Sequence, residues 1–187
     1  MKKIIFPGLL LITVLFSSCG SNEPDSKKEA TEENKEKFDS TAIKDDAKFA
    51  VAAADGGMME VQLGKLALTN GSAATVKNFA QMMIDDHTRA GEELKTLAQS
   101  KNITLPDTLS NKNKDAYNDL AKKKGKEFDK AYTSFMVKDH KEDIEEFKKQ
   151  GQKGNDLDLK NWAWGKVPIL EHHLQMAQKA DSIAWKN

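Results

Sequence analysis

From Thr41 onward, apolar residues along this chain recur at intervals of three and four, and they do not alternate with polar ones as in a strand. That period marks one face of an α-helix. The prevalence of alanine, leucine, lysine, glutamate and methionine agrees with it. A first long helix is expected over about Thr41–Thr69, with Ala50, Val51, Ala54, Met58 and Val61 at helical spacing. Asn70 and Gly71 stop it, and the Ser72 hydroxyl can cap a second helix over about Ala73–Ser100. A loop with Pro106 follows, then a short lysine-rich helix that starts at Ser110 or Asn111 and breaks at Gly125. The third long helix covers about Lys126–Gln150, with Phe128, Tyr132, Phe135, Met136, Ile144 and Phe147 as its apolar stripe. After the turn GQKGND, with Asp156 as cap, a fourth runs over about Leu157–Trp185. Pro168 inside it removes an amide donor and crowds the Trp164 carbonyl, which predicts a kink. Four long helices, short connections and one short extra helix predict an all-α bundle over residues 41–187.

The first residues follow another pattern. MKKIIFPGLLLITVLFSSC has two lysines, an apolar run from Ile4 to Phe16, and small residues before the chain's only cysteine. The run is shorter than the ~20 residues a spanning helix needs, so residues 1–18 read as an export signal. Ser17, Ser18 and Cys19 resemble a bacterial lipobox, which implies cleavage before Cys19 and lipid on its thiol. A lone thiol in an exported chain has no disulfide partner within the chain, and that favours lipidation over a stray cysteine. Residues 19–40 are polar, highly charged and almost free of apolar side chains, the composition of a flexible tether spanning roughly 25 Å on average. The expected location is therefore the bacterial cell envelope, lipid-anchored, in the outer membrane with the domain facing the periplasm or the exterior. Lysine plus arginine and aspartate plus glutamate both number 29, and loss of Lys2 and Lys3 takes the formal net charge from 0 to −2. Neither balance argues for a nucleic-acid partner.

The candidate chemistry lies in a repeat. FAQMMIDDHTRAGEELK, Phe79 to Lys95, returns 53 positions later as YTSFMVKDHKEDIEEFK, Tyr132 to Lys148, and two of the four histidines occupy the same place in it. Met83 and His87 share one helix face, as do Met136, His140, Asp143 and Phe147, and as do Leu170, His173 and Ala177. On the first helix, Gly57, Glu60, Gly64 and Ala67 form a stripe of small residues with one carboxylate in it. Each long helix thus offers an ionisable residue on an inward face, a pattern by which helical bundles hold metals. The metal-ligand candidates are Glu60, His87, His140 and His173, with Asp143 as a fifth. A metal-free hydrogen-bonded network of the same groups is the competing reading. Asp86 and Asp139 lie about 100° around the helix from their histidines, which points to surface or supporting positions, and His172 lies off the face of His173. Met83 with His87, Met136 with His140 and His172 with Met176 are soft pairs that suit copper(I), although Met at this spacing more often fills a core. No phosphate-binding glycine loop and no Ser-His-Asp arrangement stands out.

The lipobox, ME-x-x-L-G-K-L-A from Met59, F-A-x-x-M-I-x-D-H-T from Phe79, F-D-x-x-Y-x-x-x-M-V-x-D-H-x-x-x-I from Phe128 and P-x-L-E-x-H-L-x-x-A from Pro168 together resemble a family. It is the ferritin-like domain-of-unknown-function family of bacterial envelope lipoproteins often labelled putative outer membrane protein. The resemblance spans about Ala42–Ala180 and implies a ferritin-like four-helix bundle in the envelope, with recurrent positions at Glu60, His87, His140 and His173. It carries no established activity. The chain lacks the Glu-x-x-His pairs of di-iron proteins of that fold: Ile84 and Ala90 flank His87 at three residues, and Leu170 precedes His173. A single transition-metal ion is therefore expected rather than two, with iron, manganese or zinc ahead of copper. The leading function is non-catalytic metal binding. A metal-free structural or protein-interaction domain and a metal-dependent oxidase or peroxide-handling enzyme are the alternatives. Protein partners or self-association remain compatible with all three.

Overall fold

The computed structural model describes residues 24–186. The predicted signal segment 1–18 and the lipidation site Cys19 lie outside them. Among the described residues the protein is all-helical: α1 (Ser26–Phe38), α2 (Lys44–Asn70), α3 (Ala74–Ser100), α4 (Asn111–Ala121), α5 (Gly125–Lys153) and α6 (Leu157–Lys186). The long helices pack as two pairs, α2 with α3 and α5 with α6, and the pairs meet where α2 touches α5 and α3 touches α6. Gly64 sets the approach of α2 to α3. A Cβ there would fall 2.8 Å from Ile84 Cγ1 and 3.0 Å from the Ala80 carbonyl oxygen, so only glycine lets the backbones come this close.

Two apolar clusters occupy opposite ends of this packing. Leu63, Val76, Phe79, Met83, Phe128 and Tyr132 belong to the first, where the Tyr132 ring stacks on Phe128 at 5.6 Å between centroids. Ala47, Ala50, Leu94, Ala98, Ile103 and Leu159 belong to the second. Full burial of each large side chain contributes about 1.5–3 kcal/mol. Met83 and Met136, the methionines of two of the three proposed copper pairs, are fully buried in the first cluster among these aromatics.

Buried aspartates join the helices end to end. Asp129 of α5 accepts hydrogen bonds from the Ser72 and Ala73 amides and the Ser72 hydroxyl, so it serves the start of α3. The expected cap by Ser72 on its own helix is thus replaced: Ala73 holds the cap position with no side-chain bond, and Ser72 donates instead. Asp46 of α2 accepts from the Asn155 and Asp156 amides ahead of α6 and from the Gln150 amide group. Asp55 of α2 accepts from the amide and hydroxyl of Ser110 at 2.8 and 2.9 Å and pairs with Lys27. Asp156 caps α6 as expected, accepting from the Leu159 amide at 2.9 Å. α6 continues as helix through Pro168. Gly125, the expected break, begins α5 with φ +60, a conformation that favours glycine.

The N-terminal segment departs from the expectation of a tether over residues 19–40. Ser26–Phe38 is a helix, and Ser26, Ala30, Asn34 and Phe38 form one buried stripe at four-residue spacing. Polar bonds do much of the docking. The Asn34 side chain donates to the Thr104 carbonyl and accepts from the Thr104 amide. Ser26 donates to Asp107 and accepts from its amide. Hydrogen bonds to backbone groups of a distant loop replace the apolar surface that composition lacks.

Candidate metal centre

Between the two apolar clusters lies a polar layer. α2 supplies Glu60, α3 supplies Asp86 and His87, α5 supplies Asp139, His140 and Asp143, and α6 supplies His173. Glu60, His87, His140 and His173 are all buried. Burial lowers the imidazoles from 6.5, to about 4 for His87 and His173 and to about 3 for His140. All three are neutral at physiological pH, the state in which an imidazole ligates metal.

The hydrogen bonds decide where the ring protons sit. His173 Nε2 is 2.9 Å from Asp86 Oδ2, and Asp86 is also held by Arg89. A carboxylate accepts, so Nε2 of His173 carries the proton and its Nδ1 presents a lone pair. His87 Nδ1 lies 2.7 Å from Glu60 Oε2. With Glu60 ionised, that bond places the His87 proton on Nδ1 and leaves Nε2 as a second lone pair. His87 Nε2 and His140 Nε2 stand 3.3 and 3.4 Å from His173 Nδ1. These separations are long for a hydrogen bond. They match the ~3.4 Å between neighbouring nitrogens placed ~2.0–2.1 Å from one tetrahedral ion. Without a cation, a proton on Glu60 instead allows a chain from Glu60 through His87 and His173 to Asp86. Burial raises the Glu60 carboxyl well above its ordinary range, which favours that proton.

The predicted ligands divide into two groups that share a member. The nitrogens of His87, His140 and His173 lie within 4.8 Å of one another, and so do ligand atoms of Glu60, Asp139, His140 and Asp143. Glu60 and Asp143 are thus gathered around His140 rather than around all three imidazoles. Glu60 Oε1 is 3.5 Å from His140 Nε2. The structure brings in Asp139, which helical phase had put at a surface or supporting position. Burial and the nearby Glu60 carboxyl raise Asp139, and the same causes with Asp139 itself raise Asp143. Asp86 is the supporting group its phase suggested, behind His173. His172 is exposed, facing away from this layer.

Among the described residues, four buried side-chain polar atoms lack a hydrogen-bond partner: Glu60 Oε1, Tyr132 Oη, Asp139 Oδ2 and His140 Nδ1. Three belong to the layer itself, and Tyr132 is close enough for the Glu60 charge, after burial, to push its hydroxyl upward. The Met136 carbonyl favours a proton on His140, yet His140 Nδ1 makes no bond of ordinary geometry. Tyr132 was legible only as a core residue. Its polar tip had no sequence signal.

A family model described as Domain of unknown function (DUF4142) matches residues 30–180. No curated protein and no solved structure matches the chain.

Proposed function

The chain belongs to the DUF4142 family, and from that premise we propose that it is a lipid-anchored envelope protein whose ferritin-like four-helix bundle holds one transition-metal ion among His87, His140 and His173. One observation carries the metal reading: three buried imidazole nitrogens, Nε2 of His87, Nε2 of His140 and Nδ1 of His173, face one another at ligand spacing. Carboxylate oxygens of Glu60 and Asp139 stand unpartnered in the same layer, where native interiors leave few polar groups unpaired. Three neutral imidazoles suit zinc or iron(II), and manganese would draw more on the carboxylates of Glu60, Asp139 and Asp143. Copper ranks behind them, since Met83 and Met136 are packed as core. The metal would be held and not, on this reading, turned over.

The test is metal content by mass spectrometry after incubation with zinc, iron(II), manganese or copper in turn, then desalting. Near-stoichiometric retention of one metal, abolished by His140→Ala, is expected. Retention of none would leave the protonated Glu60–His87–His173–Asp86 chain as the native state and make the protein a metal-free structural or interaction domain. Lipidation is tested separately: palmitate labelling should disappear in Cys19→Ser.

A further inference from the structure

A cleft of about 720 Å³ opens beside the polar layer, bounded by α2, α3, α5, α6 and the loop before α4. It follows α2 from Ala53 to Lys65 and α3 from Asp86 to Gln99, which is about 18–20 Å of helix at 1.5 Å per residue. The two ends differ in chemistry. Glu60, His87, Asp143 and His173 line one, and Leu94, Ala98, Ile103, Leu105 and Pro106 give most of the lining of the other, with Lys95, Gln99 and Asp107 among them. Trp162 and Met58 line the cleft as well. A Cβ built on Gly56, Gly57 or Gly91 meets nothing within 4 Å, so the groove is open along these glycines. A long cavity that is mostly apolar at one end and carries convergent polar groups at the other is the shape of a small-molecule site.

We propose that this cleft binds a linear amphiphile with a single anionic head, its hydrocarbon tail along α2 and α3 and its head directed at the ion held by the imidazoles. The inference rests on the metal reading for the head and on the cleft alone for the tail. Three protein nitrogens leave a fourth position on a tetrahedral ion. His87 and His173 line the cleft, so an ion that they held would border it. Lys65, beyond Glu60 on α2, also lines the cleft and adds a cationic side chain at this end. The ion and Lys65 would together meet the head. Each buried methylene raises affinity roughly fourfold, so affinity should grow with tail length.

The experiment is calorimetric titration of the zinc-loaded full-length chain with acetate, decanoate and decanol, the long chains below their micellar concentrations. Decanoate should bind at least ~10-fold more tightly than acetate. Gly57→Leu places a side chain in the open groove and suits a helix better than glycine. It should weaken decanoate ~10-fold or more and leave acetate binding and zinc retention as they were. Equal decanoate binding by Gly57→Leu, with zinc retained, would overturn the cleft proposal and leave the metal reading standing. Decanol binding as tightly as decanoate would overturn the anionic head. If zinc is not retained, the metal reading falls with the head, and decanol binding abolished by Gly57→Leu would still uphold the tail site.

Discussion

Among the described residues, two sets of three acidic side chains turn inward, and Asp86, behind His173, belongs to neither. Asp46, Asp55 and Asp129 each accept several hydrogen bonds from the start of another helix or its flanking residues. Glu60, Asp139 and Asp143 gather around one imidazole, and both Glu60 and Asp139 keep an oxygen with no partner. The first set shows what burying a carboxylate requires: donors enough to replace its water. The second set lacks them. Burial alone does not account for the difference: Glu60 is as buried as Asp129, each 2 % exposed, while Asp139 and Asp143 are partly exposed. Saturation does: one set is architectural, and the other is the set on which the proposed metal site would draw.

The largest expected effect breaks the architectural set. Asp129→Ala leaves the Ser72 and Ala73 donors unserved and should cost about 3 kcal/mol in urea denaturation. The metal bound per folded molecule should not change. If metal retention falls instead and stability holds, the division between the sets is wrong. Next comes the support behind the imidazoles. Asp86→Ala frees the ring of His173 and should weaken metal affinity ~10–100-fold, read by competition with a chelator, with little loss of fold.

The third prediction concerns pH. The folded values of Glu60, Asp139 and Asp143 are raised, so their stabilising contribution is complete below the unfolded carboxylate range and is lost as pH rises through the raised values. The imidazoles work in the opposite sense. Their folded values of about 3–4 lie below 6.5, so they favour the fold above pH 6.5 and lose that contribution as pH falls through 4. Between these limits the two trends oppose each other. Above pH 6.5 only the carboxylates act, and the metal-free protein should lose on the order of 1–2 kcal/mol with rising pH. Asp139→Asn should flatten that slope, and bound metal should remove it. The smallest effect is His172→Ala, expected within about 0.5 kcal/mol of wild type in stability and equal in metal content.

Local pattern made much of the helical framework legible. The α5 stripe of Phe128, Tyr132 and Met136 is buried where its period placed it, and Asp156 caps α6. Glu60, His87, His140 and His173 were legible for the same reason: a helix face is a property of spacing. Asp139 was not, because α5 packs against α6, α2 and α4, and a helix with several neighbours buries an arc wider than one stripe. The pairing of Ser72 with Asp129 spans 57 residues, so local sequence had nothing to say about it. α1 escaped notice because polar bonds to the loop at Thr104 and Asp107 help to secure it, which a count of apolar residues cannot register.

The docking of α1 also changes the mooring. Asp25 caps α1 and accepts from the Asn111 amide, so the chain is held to the bundle there. Were Cys19 to carry lipid, the chain from it to Asp25 could reach about 22 Å at full stretch. A leash that short would restrict tumbling. It would keep the start of α1, where Ser26 is bonded to Asp107 beside the cleft, turned toward the bilayer.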